Sequence, residues 1–255
     1  MLALKLFLVP FFLAIVSWVS RRWGPGVGGW LAGMPLVTGP ILFILALEND
    51  ALFTAQAAAA SLSAVVSAIV FGAAYSHLCL RNGWPVAAAG AVGAWLVASA
   101  GLAELPGTVL PALVLAIASL LVAPRLFPAP PAFGALRAER RYDLPLRMVV
   151  AVLLVFFTTG IADKVGSEWT GLIAMFPLLS TILAVFSHSG QGPGFAVTML
   201  RGLAKGLYAL TAYCVVIALF LPDWGVALTY LSAVAAALVT QWFTRPRPAP
   251  NVHDR

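Results

Sequence analysis

The chain has 255 residues, 62% of them hydrophobic and 9% charged, with a net charge of +6. Soluble domains carry about 25% charged residues, so a water-soluble globular protein is excluded. A mean hydropathy of +0.98 also excludes a disordered chain, and the class that remains is a polytopic membrane protein, in which each spanning helix takes roughly 20 residues.

Apolar runs bounded by charges and Pro/Gly clusters predict about nine spans: 3–20, 28–47, 52–78, 84–103, 107–124, 144–162, 169–188, 195–221 and 224–243. Span 1 lacks a small-residue cleavage site and is followed by Arg21 and Arg22, so it reads as a helix and not as a signal peptide. Gly24-Pro-Gly-Val-Gly-Gly29 matches G-x-G-x-x-G, but no strand precedes it. It is expected to be a turn, not a dinucleotide site. Span 2 carries Pro35 and Pro40, with Thr38 between them. Proline removes a backbone donor and clashes one turn back, so this helix should kink or break.

In span 3, Gln56, Ala60, Ser63 and Ser67 follow helical spacing on one face, which is expected to line the interior. Ala87, Gly90 and Gly93 in span 4, like Gly202 and Gly206 in span 8, read as close helix contacts. Ala123 to Arg147 is the one long hydrophilic stretch, with Pro128, Pro130, Pro131 and five arginines. It is a linker between two halves. Span 7 repeats the design of span 2, with Pro177 followed by Ser180 and Thr181. Hydroxyls at such breaks can re-satisfy freed backbone groups.

Ser187 to Gly194 reads as a Gly-rich loop feeding a helix N-terminus, where backbone donors can hold an oxyanion, with His188 and Gln191 as added contacts. A plain interhelical turn is the competing reading. Span 8 then holds Arg201 and Lys205, one helical turn apart and about 12 Å or more past Pro193. Two like charges on one face in low dielectric repel unless an anion is near. The expected companion is a substrate anion, a lipid phosphate, or solvating water in a vestibule; snorkelling to headgroups is the bland alternative. Cys79 and Cys214 lie in or beside apolar runs and read as packing residues.

Placing the linker in the cytoplasm puts Arg21, Arg22, Arg81, Arg125, Arg137, Arg140, Arg141, Arg147, Arg245, Arg247 and Arg255 inside, against Lys5 and Lys164 outside. This bias predicts a bacterial-type inner membrane protein with an external N-terminus and a cytoplasmic C-terminus.

A shift of 142 residues aligns the two halves without a gap from residue 2 to about 77. Lys5 meets Arg147, Gly24 and Gly29 meet Gly166 and Gly171, Pro35-Leu36 meets Pro177-Leu178, and Phe53 meets Phe195. The fold class is therefore read as all-α, with two inverted-topology four-helix repeats plus one linking helix, a plan that recurs in secondary transporters. The divisions are a first repeat at 1–104, a linking helix at 105–124, a cytoplasmic linker at 125–143, a second repeat at 144–244 and a tail at 245–255.

The stretch Gly171-Leu-Ile-Ala-Met-Phe-Pro-Leu-Leu-Ser-Thr181, then Phe186-Ser-His188, Leu200-Arg201 and Gly206-Leu-Tyr-Ala209, resembles the GlpM-like family of small four-helix inner-membrane proteins. The resemblance covers the second repeat best, since Ala46 and Ala59 stand where His188 and Arg201 stand. It implies an architecture, a fused inverted duplicate, and no substrate.

The expected function is movement of a small or lipid-linked anion, with Arg201 and Lys205 as its contacts. The alternative is a non-transporting subunit or scaffold for other membrane proteins. A transporter should show a polar cavity reaching the proline breaks; a scaffold should show a dry bundle and an exposed groove. The expected partners are the lipid bilayer and an anionic small molecule or lipid headgroup, with a homodimer as an option; no nucleic acid is expected. No H-E-x-x-H, G-x-S-x-G or P-loop occurs, so no catalytic residue, cofactor or metal is expected.

Overall fold

The computed structural model of the protein describes residues 2–104, 108–133, 142–162 and 176–246. Among these residues the fold is all-α. Helix α1 (Leu2–Trp23) ends with Arg21 and Arg22 in its last turn, where cations complement the helix dipole. Gly24 then takes φ +92°, and Pro25 opens α2 (Pro25–Ala32), the position at which a missing N–H costs nothing. After a break comes α3 (Thr38–Glu48). The Asp50 side chain caps α4 (Ala51–Leu78) by accepting from Phe53 N at 2.7 Å. Helices α5 (Trp84–Ala103) and α6 (Val109–Leu126) follow, then α7 (Asp143–Ala162), α8 (Leu178–Gln191) and α9 (Pro193–Phe243). Helix α9 is two arms, parted at Gly225, whose φ of 72° only glycine adopts without strain. Five helices, α1, α4, α5, α6 and α9, are long and apolar enough to cross a bilayer.

The first arm of α9 packs against α2, α4 and α6, while α5 folds back on α4 and α1 lies along α7. The core between them is aliphatic, with Leu13, Val16, Leu62, Ile69, Leu200 and Ile217 almost fully buried. Contact with α2 is made through backbone. A Cβ added to Gly206 would fall 2.8 Å from Gly33 Cα, and one on Gly202 would fall 3.0 Å from the Gly26 carbonyl carbon. Small residues let membrane helices approach this closely. The same role does not extend to Gly93, where an added Cβ meets nothing within 4 Å.

Span 2 is not one helix: residues 33–37 leave the helical path between α2 and α3. At Pro35, Leu36 N donates to Met34 O at 2.7 Å, and Gly39 N then donates to Pro35 O at 2.9 Å. Met34 N turns to Leu31 O, which leaves the Trp30 carbonyl without its helical donor. Gln241 Nε2, from the far end of α9, supplies one at 3.0 Å. Freed backbone groups at membrane depth must be re-satisfied in this way. The same pattern stands at Pro177, where Leu178 N donates to Phe176 O at 2.8 Å and Thr181 N to Pro177 O at 2.9 Å. Pro177 has φ −78° and ψ 63°, the inverse γ-turn geometry.

Two local readings need correction. Gly24 to Gly29 is a turn only at Gly24, because the following residues form α2. Ser187 to Gly194 is not a loop: α8 runs to Gln191, Gly192 alone turns at φ +94°, and α9 starts at Pro193. The matches at Gly166 and Gly171, the cations Lys164, Arg137, Arg140, Arg141, Arg247 and Arg255, and most of the N-terminal half of span 7 lie outside the described residues.

Candidate functional site: a basic cleft and an apolar groove

Arg201 and Lys205 are brought together at one cleft between α6 and α9, which also includes Leu120, Ala123, Pro124, Phe127, Ala204 and Tyr208. Among the described residues no carboxylate lines it. Their spacing of one turn puts both side chains toward α6. Lys205 is exposed, whereas Arg201 is half-buried.

Arg201 is not without a partner in the protein. Its Nη1 donates to Phe127 O at 3.1 Å and to Pro128 O at 2.9 Å. These carbonyls follow directly on the C-terminal end of α6 at Leu126, where the negative pole of that helix lies. Backbone carbonyls are thus a partner that the expected set of substrate, lipid phosphate, vestibule water or snorkelling did not include. Carbonyl oxygens orient the guanidinium, but they are neutral and leave its charge in place. The linker continues along the start of α9: the Pro131 carbonyl sits where a Cβ of Gly194 would be, and Phe133 meets Phe195 edge-on at 5.6 Å. That carbonyl occupies the first turn of α9, so the oxyanion cradle expected there is not open.

His188 is engaged elsewhere. Its Nδ1 lies 3.3 Å from Tyr75 Oη, with the two rings edge-on at 6.1 Å, and Tyr75 is fully buried. Gln191, the last residue of α8, makes contacts of its own. Ser180 and Thr181 are buried beside the Pro177 break, and Thr181 Oγ1 donates to Pro177 O at 2.9 Å. Thr38 opens α3 at the other break. The stripe on α4 does not face one interior. Gln56 is exposed and Ser63 half-buried, while Ser67 is buried and accepts from Ser99 Oγ of α5 at 2.9 Å.

The large cavity at a proline break is apolar. It measures about 710 Å³ and lies between the Met34–Phe43 segment, with Pro35 and Pro40, and the second arm of α9, where Ala237 and Leu238 line it. Its two hydroxyls are spent on backbone: Tyr213 Oη donates to Gly39 O at 3.3 Å and Tyr230 Oη to Leu42 O at 2.6 Å. At the other break, the Trp95 ring meets Phe176 edge-on at 5.2 Å. The groove and the basic cleft share no lining residue. The polar cavity expected of a transporter is thus not what reaches Pro35; the exposed apolar groove is the feature expected of a scaffold.

Arg147 was read from sequence only as a charge at a span end. It is 5% exposed, donating from Nη1 to Ser17 Oγ at 3.2 Å, with its guanidinium 5.4 Å from the Phe186 ring centroid. It joins α7 to α1 and α8 through a hydrogen bond and a cation–π contact. Its match to Lys5 across the repeat was the one sequence signal that set it apart. Among the described residues no group of three or more His, Cys, Asp or Glu side chains is placed to hold a metal ion.

No known protein family, no characterised protein and no solved structure matches this chain. Nothing in these comparisons links the chain to the GlpM-like family.

Proposed function

We propose that the protein is a flippase-like membrane carrier for an anion attached to a lipid, built from two inverted repeats of four helices around the linking helix α6. The observation that carries this reading is the groove at Pro35. It is large, apolar and open to the side, and its only hydroxyls are turned to backbone carbonyls. A soluble anion would lose its hydration there with nothing in return, whereas a hydrocarbon chain would not. The inverted repeat is supported by the matched γ-turns at Pro35 and Pro177, positions 142 residues apart in a chain whose halves align at that offset. Paired interruptions of this kind accompany midplane sites in transporters. The positive-inside bias supports an orientation with the Arg-rich linker in the cytoplasm.

A second reading, a non-transporting subunit that receives another membrane protein, is favoured by the same exposed groove. Lipid movement in reconstituted vesicles separates the two. Wild type should move a fluorescent anionic phospholipid between leaflets faster than protein-free vesicles. Leu238→Trp, which puts an indole into the groove from an exposed position, should slow it at least about tenfold, or roughly 1.4 kcal/mol in barrier. No movement by a folded wild type would leave the subunit reading.

A further inference from the structure

We infer that the cleft between α6 and α9 is a binding site for the phosphodiester headgroup of an anionic membrane lipid, with Lys205 as its exposed contact and Arg201 as its oriented one. This rests on the reading of the protein as a carrier of lipid-borne anions and names where the headgroup is held.

The observations converge on headgroup chemistry. Among the described residues the cleft has two cations and no acid, and its remaining walls are apolar apart from Tyr208. Its depth is set by the protein itself: Arg201 reaches the carbonyls of Phe127 and Pro128, where α6 ends and the Pro-rich linker begins. A helix of this length covers the hydrocarbon core and ends at its polar boundary, so the Arg201 guanidinium stands at that boundary, and Lys205, one turn further along α9, reaches toward it from beside Ala123. Lys205 is exposed on the flank of α9, so a lipid can reach it sideways. Neutral carbonyls leave the Arg201 charge uncancelled and hold its planar fork in one orientation, which reduces the ordering cost of binding a phosphate. Basic pockets between helices on the cytoplasmic side bind anionic headgroups by the same chemistry.

The test uses the full-length protein in nanodiscs and native mass spectrometry of retained lipid. Wild type should retain phosphatidylglycerol in preference to phosphatidylcholine. Lys205→Ala should reduce that preference about fivefold, the factor equivalent to roughly 1 kcal/mol for one basic residue at an anionic surface. Lys205→Glu should abolish it, and Lys205→Arg should keep it. Thermal unfolding of each variant shows that an exposed substitution has left the fold intact. Inorganic phosphate added in excess should not displace the lipid; displacement at low concentration would make the ligand a soluble anion and overturn the inference. So would equal retention of both lipids by wild type, or unchanged retention in folded Lys205→Glu. Selective retention that depends on Lys205, without lipid movement, would uphold this site and reject the carrier. Movement that survives with no selective retention would do the reverse.

Discussion

At the residue scale, glycine decides how closely the two central elements approach. Gly26, Gly29 and Gly33 on one side and Gly202 and Gly206 on the other meet backbone to backbone, so the contact has no side chain to yield. Gly206→Ala, whose Cβ would fall 2.8 Å from Gly33 Cα, should destabilise the protein by about 1–3 kcal/mol, the usual cost of forcing atoms into a packed site. Gly93→Ala, in open space on α5, should be neutral or stabilising by up to about 1 kcal/mol, because alanine is the better helix former. Thermal unfolding in detergent compares them; equal effects would mean that the backbone contact is not what holds α2 to α9. The glycines were legible in sequence as contacts, but which ones were not, since spacing alone does not tell a packed face from a lipid-facing one. Gln56 failed for the same reason: α4 is apolar on every side, so its polar stripe had no contrasting face to orient it. The partners of Arg201 had no sequence signal at all. Backbone carbonyls are present in every residue, and only the fold says which ones lie 2.9–3.1 Å away.

At the scale of elements, the prolines were the most informative residues in the chain. Pro35 and Pro177 were expected to interrupt their helices, and each stands at a turn with the same two hydrogen bonds. The sequence did not disclose who repairs the break. Gln241 lies 211 positions from Trp30, a distance no local pattern spans. Gln241→Leu removes the donor to the Trp30 carbonyl and should cost about 1–3 kcal/mol, the penalty of a buried group left unsatisfied. Loss of stability in Gln241→Leu with recovery in Gln241→Asn at reduced strength would follow from this. Unchanged unfolding of Gln241→Leu would show that the break is satisfied by other means. The turn at Gly225 falls two residues past the gap expected between spans 195–221 and 224–243. The Gly-rich stretch before α9 was over-read: glycines suggested a loop, yet only Gly192 needs a left-handed backbone.

At the scale of the whole molecule, the ends of α4 give the protein its two poles. Asp50 caps one end. Tyr75, about 37 Å further along the helix axis, meets His188 next to the turn into α9. The turns before α4 and after α8 are therefore at opposite ends of the bundle. Inverted repeats would put these corresponding turns on opposite sides of a membrane, and the proposed orientation would put the α8–α9 turn in the cytoplasm. The two native thiols, Cys79 and Cys214, are buried, so introduced cysteines can be labelled against a low background. The most direct test places a cysteine at exposed Asn49 and, separately, at exposed Ser189, and labels intact cells with a membrane-impermeant maleimide. Asn49→Cys should react from outside, and Ser189→Cys only after the membrane is opened. Reaction of both from the same side would contradict a membrane-spanning pair of inverted repeats.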